Sequence, residues 1–146
     1  MKLTLPILTI AATIFAGGAF AFDPDDLKKL KDTGDCVECD LRRANLSKAN
    51  LKDANLQGAK LMEANMKGAV LVGANLNFAN LRYANLESVN LWKAKLSMAN
   101  LESVNLKDSD LGGADLEGAD LEGAYMNGAI LCNTTMPDGS VIYSGC

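Results

Sequence analysis

The chain has 146 residues, 14 basic and 18 acidic side chains, a net charge of −4 and no histidine. Without histidine there is no imidazole base, no Ser–His relay and no His metal ligand. No stretch concentrates basic residues on one face, which excludes a nucleic-acid-binding footprint.

Residues 1–21 have the layout of a signal peptide. Met1-Lys2 supplies a basic start, Leu3 to Phe20 carry no charge, and Ala19-Phe20-Ala21 has the A-x-A form of a cleavage site. The competing reading is an uncleaved membrane anchor, since an uncharged run of this length nearly spans a bilayer. Pro6, Gly17, Gly18 and the small-residue end argue for cleavage, after which no stable membrane insertion is expected. No cysteine stands at the junction, so the pattern is not that of a lipoprotein. Export to a periplasm or a thylakoid lumen is the expected location, with a mature chain beginning at Phe22.

Residues 22–35 read as an N-terminal capping segment built on a short helix. Asp23 suits the N-cap and Pro24 the first helical position, while Asp25 and Asp26 favour the positive end of the helix dipole. Gly34 can stop the helix. Leu27 and Leu30 share one face, which is expected to cover whatever follows.

From residue 36 to 133 the chain is periodic. A leucine or methionine returns every fifth residue nineteen times, from Leu41 to Leu131, and Met66 and Met126 are the only two that are not leucine. Two places before it stands alanine, except at Cys39, Val89, Val104 and Ser109. A period of five fits neither ordinary element. On an α-helix it advances a net of about 140° per repeat and sprays the leucines around the cylinder. On a straight strand an odd period sends them to alternate faces. They share one interior only if the chain turns a corner in every repeat, so that four pentapeptides close a square coil of twenty residues. This is a solenoid.

The five slots then have roles. Alanine and leucine point inward, as at Leu86, and the residues after leucine, such as Glu87, face water. Between alanine and leucine stands mostly Asn or Asp, which bond to nearby backbone and suit turns. The fifth slot is glycine seven times, as expected where a turn needs a positive φ.

Tandem A-(N/D)-L-x-x, as in Ala44-Asn45-Leu46 and Ala49-Asn50-Leu51, resembles the pentapeptide-repeat proteins. The resemblance implies an all-β fold, a right-handed quadrilateral β-helix; the handedness comes from the family. At a stacking distance of ~4.8 Å the prism is ~23 Å long. The family includes DNA mimics that shield type II topoisomerases. This chain departs from them in carrying an export signal, in its shortness and in its one-ended acidity. It is more similar to exported relatives of lumenal or periplasmic spaces, which mostly have no assigned activity.

Export makes the four cysteines readable as disulfides. Cys36 and Cys39 continue the repeat frame and point into the lumen of the first coil. A structural bridge is the preferred reading for this pair. A thiol-redox role lacks the helix N-terminus and βαβ setting that such chemistry uses, and a zinc site lacks ligands. Cys132 and Cys146 flank a turn-rich segment, and residues 134–146 read as a C-terminal capping tail that reverses at Pro137-Asp138-Gly139. Its Val141-Ile142-Tyr143 is expected to lie over the open end of the stack.

The charge is unevenly placed. Residues 22–95 hold 12 basic and 10 acidic side chains, whereas residues 96–146 hold Lys107 against eight acids. Large apolar residues occupy outward slots at Val70, Val72, Phe78, Tyr83 and Trp92, and residues twenty apart should stack, placing Trp92 above Val72. These five form the expected interaction surface. The sequence thus reads as a non-catalytic scaffold without cofactor or metal, binding an unidentified protein partner and compatible with a homodimer. DNA mimicry and thiol-redox chemistry at Cys36 and Cys39 are the alternatives.

Overall fold

The computed structural model describes residues 22–143 and 145–146. The proposed signal segment, residues 1–21, lies outside the described residues. Helix α1 spans Pro24–Thr33. The Asp23 carboxylate accepts from the Asp25 N–H at 2.9 Å, and Gly34, at φ 70°, donates its N–H to the Leu30 carbonyl. Both helix ends thus have partners for backbone groups that would otherwise be orphaned. Leu27 and Leu30 are buried in the same apolar cluster as the first coil. Two hydrogen bonds tie α1 to that coil: the Asp23 N–H donates to the Asp40 carbonyl at 2.9 Å, and the Asp40 N–H to the Asp26 carboxylate at 2.7 Å.

The periodic region is a parallel β-helix with a register of twenty residues. Bridges run from Asp35–Asn55 through Asn90–Asp110 to Asp115–Thr135, each joining residue i to i+20. Four repeats therefore make one coil. A single repeat shows how it is held. The Leu81 N–H donates to the Asn100 carbonyl at 2.8 Å and the Tyr83 N–H to Glu102 at 3.0 Å, both in the next coil. The Ala84 N–H turns back to the Leu81 carbonyl at 2.9 Å and closes the corner. The Asn85 N–H donates to the Ala64 carbonyl of the preceding coil at 2.9 Å, and the one N–H left over, on Arg82, is taken by the Asn80 side chain at 3.1 Å. That last bond explains the residue between alanine and leucine: Asn or Asp there satisfies the backbone donor two places on, as an Asx turn does.

The lumen is filled in layers. Alanine and leucine slots from Leu41 to Leu116 are buried, with Leu86 at 0% exposure. Ser109, in an alanine slot, is equally buried and donates its hydroxyl to the Leu106 carbonyl at 2.6 Å, so its polarity is satisfied locally.

Glycine in the fifth slot stands at positive φ at all seven positions, as expected. Positive φ is general there, including at Lys48, Phe78 and Ser103, with values between 54° and 61° at the non-glycine corners of the coils from Arg43 to Asp108. Left-handed backbone is thus imposed by the coil on any residue. At some glycines the coil before them adds a second reason: a Cβ at Gly118 would crowd the Met98 sulfur and one at Gly128 the Asp108 carboxylate, whereas at Gly68 it would meet only ordinary contact. Where Arg43 is followed by Glu63 in such a column, the two side chains pair. Arg43 Nε lies 2.8 Å from Glu63 Oε2.

The tail covers less than the sequence leads one to expect. Thr134–Thr135 (β1) and Val141–Ile142 (β2) form an antiparallel hairpin, reversed by the Met136 N–H to Ser140 carbonyl bond at 2.7 Å. Val141 and Tyr143 remain exposed, and Leu121, Met126 and Leu131 in the last coil are only half-buried. The disulfide between Cys132 and Cys146 explains this: it holds the chain end beside Ile130 and Leu131, away from the rest of the lumen.

Candidate interaction surfaces

The twenty-residue register decides which outward side chains meet. Val72, Trp92, Gly112 and Cys132 fall in one column, and Val70 in the adjoining column with Asn90, so Val70, Val72 and Trp92 share one side of the coil. Trp92 is 44% exposed. Its indole lies against Gly112, with Cδ1 3.0 Å from where a Cβ would stand, and the Lys93 ammonium sits 4.1 Å from the ring centroid. A cation over the ring face favours this pose electrostatically.

Phe78 and Tyr83 belong elsewhere. They occupy the corners of the next two repeats around the coil after Val72, so the structure does not bring them onto the Trp92 side. Phe78 is 60% exposed and shares its column with exposed Met98, a residue the sequence reading passed over. Tyr83 lies under the Arg82 guanidinium at 4.7 Å. The twenty-residue spacing that paired Trp92 with Val72 was the signal for Met98 as well. Tyr125 and Ile130, both exposed near the C-terminal end, were also passed over, although they occupy the same slot as Val70.

Charged groups pair along the columns. Lys67 reaches Glu87 at 3.1 Å and Arg82 reaches Glu102 at 2.7 Å, each across twenty residues. Side-chain hydrogen bonding from Arg42 holds the Asp40 carboxyl below its ordinary range, and Arg43 does the same for Glu63. All of these pairs lie at the surface, where solvent screening keeps their worth modest.

Cys36 and Cys39 form one disulfide and Cys132 and Cys146 the other, leaving no free thiol. The first pair is buried in the lumen at 0% and 3% exposure, out of reach of an attacking thiolate. Among the described residues no group of His, Cys, Asp or Glu is placed to hold a metal ion, and no helix is long and apolar enough to cross a membrane.

A family model described as pentapeptide repeats matches in eight copies over residues 35–68, 59–97, 69–108 and 99–136. The chain belongs to the pentapeptide-repeat family. Its fold is accordingly a right-handed β-helix, and no catalytic family is indicated. Among solved structures, this pentapeptide-repeat chain is similar to a member from the Arabidopsis thaliana thylakoid lumen. That match has 32% identity and a TM-score of 0.66, over 72% of this chain and 70% of that one. It is also similar to a member from the cyanobacterium Cyanothece 51142, at 29% identity and a TM-score of 0.61, over 72% and 92%. A third is HetL, involved in heterocyst differentiation regulation in Nostoc sp. strain PCC 7120, at 32% identity and a TM-score of 0.50, over 74% and 62%. No curated protein sequence matches the chain.

Proposed function

We propose that the chain is an exported, non-catalytic pentapeptide-repeat scaffold that binds a protein partner through the side bearing Trp92, Val72 and Val70. The observation that carries this reading is the half-exposed indole of Trp92, held by Lys93 and Gly112 on an apolar column of a rigid coil. Buried aromatics flanked by lesser contacts are what binding hot spots are made of. In this reading the coil is quadrilateral in section, residues 36–133 form the scaffold, α1 caps its first coil and residues 134–146 attend its last. Residues 1–21 are the export signal, and the thylakoid-lumen origin of a similar structure supports a lumenal or periplasmic destination. Residues 41–95 hold nine basic side chains against three acids, which speaks against DNA mimicry, since that needs acidity along the whole length.

Because Trp92 and Phe78 lie on different sides, single substitutions separate them. Trp92→Ala is expected to leave the melting temperature nearly unchanged and to abolish capture of the partner from the native compartment. Phe78→Ala should change neither. Loss of stability with Trp92→Ala would make the indole structural, and intact capture would remove this side from consideration.

Export has its own check. Intact mass of the protein from its native source should correspond to a chain beginning at Phe22 with both disulfides formed. A retained Met1 or alkylatable thiols would contradict an exported, oxidised protein.

A further inference from the structure

The two ends of the stack are built differently. At the N-terminal end Leu27 and Leu30 lie over the first coil. At the C-terminal end, among the described residues, nothing lies beyond the last coil over two of its sides. Every earlier leucine slot donates its N–H to the coil that follows, as Leu101 does to Asp120 and Leu106 to Tyr125. Among the described residues, the N–H groups of Leu121, Gly123, Met126 and Gly128 and the carbonyls of Ala119, Ala124 and Ala129 have no such partner. The same stretch loses burial, since Leu121, Ala124 and Met126 are all half-exposed. An apolar lumen and an unpaired strand edge therefore open at the same place, the combination on which an extended chain adds as a strand.

Charge decides what chain this is. Residues 108–138 hold seven acids and no basic residue, with Asp120 and Glu122 exposed beside the open edge. A second copy meeting end to end would oppose this acidity to itself. Head-to-tail stacking is no better, because residues 23–40 hold seven acids against three lysines.

We propose that the open C-terminal end binds an extended, basic segment of another protein, about ten residues long, which adds to residues 119–129 as the start of a further coil. Its alternate apolar side chains complete the lumen over Leu121 and Met126, and its lysines or arginines face Asp120 and Glu122. This rests on the scaffold reading only in taking the partner to be a protein; the surface is distinct from the Trp92 side.

The test uses the full chain and two labelled peptides, two copies of Ala-Asn-Leu-Lys-Lys and two of Ala-Asn-Leu-Glu-Glu. The basic peptide should bind saturably at one site, weaken at least about tenfold between low and high salt, and slow amide exchange at Leu121 and Met126. The acidic peptide should bind at least about tenfold more weakly, and Asp120→Lys with Glu122→Lys should reverse the preference. Equal binding of both peptides, binding that leaves those amides unprotected, or a dimer of the chain alone that protects them would each overturn the proposal. Trp92→Ala must leave peptide binding unchanged. Absent peptide binding with partner capture still lost in Trp92→Ala would overturn this inference and leave the Trp92 reading standing.

Discussion

Leu86→Asp is expected to abolish cooperative folding. Leu86 is fully buried, and the register places it between Met66 and Leu106 in the middle of the stack. A carboxylate there has no cation within the lumen, and burying it unpaired costs several kcal/mol. Small domains are stable by only about 5–15 kcal/mol. In a solenoid a broken central coil also uncouples the repeats on either side of it. The control is its neighbour: Glu87→Gln loses an exposed ion pair to Lys67 and should cost no more than about 1 kcal/mol. Charge reversal at Glu87 would be a poorer control, since its column also holds Lys67 and Lys107. Thermal melts followed by circular dichroism separate the two, and similar melting of both variants would sink the inward/outward assignment of the five slots.

Leu30→Glu should be the next most damaging change. Leu30 is 2% exposed and joins Leu27 over the lumen of the first coil. A buried charge there is expected to cost about 3 kcal/mol, with the loss felt first at the Cys36 and Leu41 amides. Lys29→Gln, on the exposed face of α1, should be close to neutral. Denaturant titration measures both. If Leu30→Glu unfolds at the same midpoint as the parent, α1 does not cap the stack.

How far these features were legible depends on whether they obey the repeat. The lumen was readable because leucine and alanine recur at a period that only a cornered coil can bury. The start and stop of α1 were equally readable, since Asp23, Pro24 and Gly34 act through local backbone chemistry. The positive φ of the glycine corners was readable from their slot, but its extension to the non-glycine corners was not, because the coil imposes it. Left-handed φ is common to the corners, and at Gly118 and Gly128 side chains twenty residues earlier also crowd the space a Cβ would take. The surface was half legible for the same reason. Spacing by twenty joins Trp92 to Val72, whereas Phe78 and Tyr83, at successive fifth positions of the same coil, are carried by the corners to other sides. At the tail, composition gave the reversal at Pro137 to Gly139 but not its direction, which the Cys132–Cys146 bond sets.

Native-state amide hydrogen exchange on the intact protein tests the central claim most directly, because the claim is about which backbone groups are paired. The account predicts slow exchange repeating every five residues at Leu61, Leu81, Leu86, Leu101 and Leu106, whose N–H groups all donate to the following coil. It predicts fast exchange at Leu121, Gly123, Met126 and Gly128, where no coil follows. Protection that shows no five-residue period, or that continues undiminished through Leu121 and Met126, would contradict a closed-start, open-ended stack of twenty-residue coils.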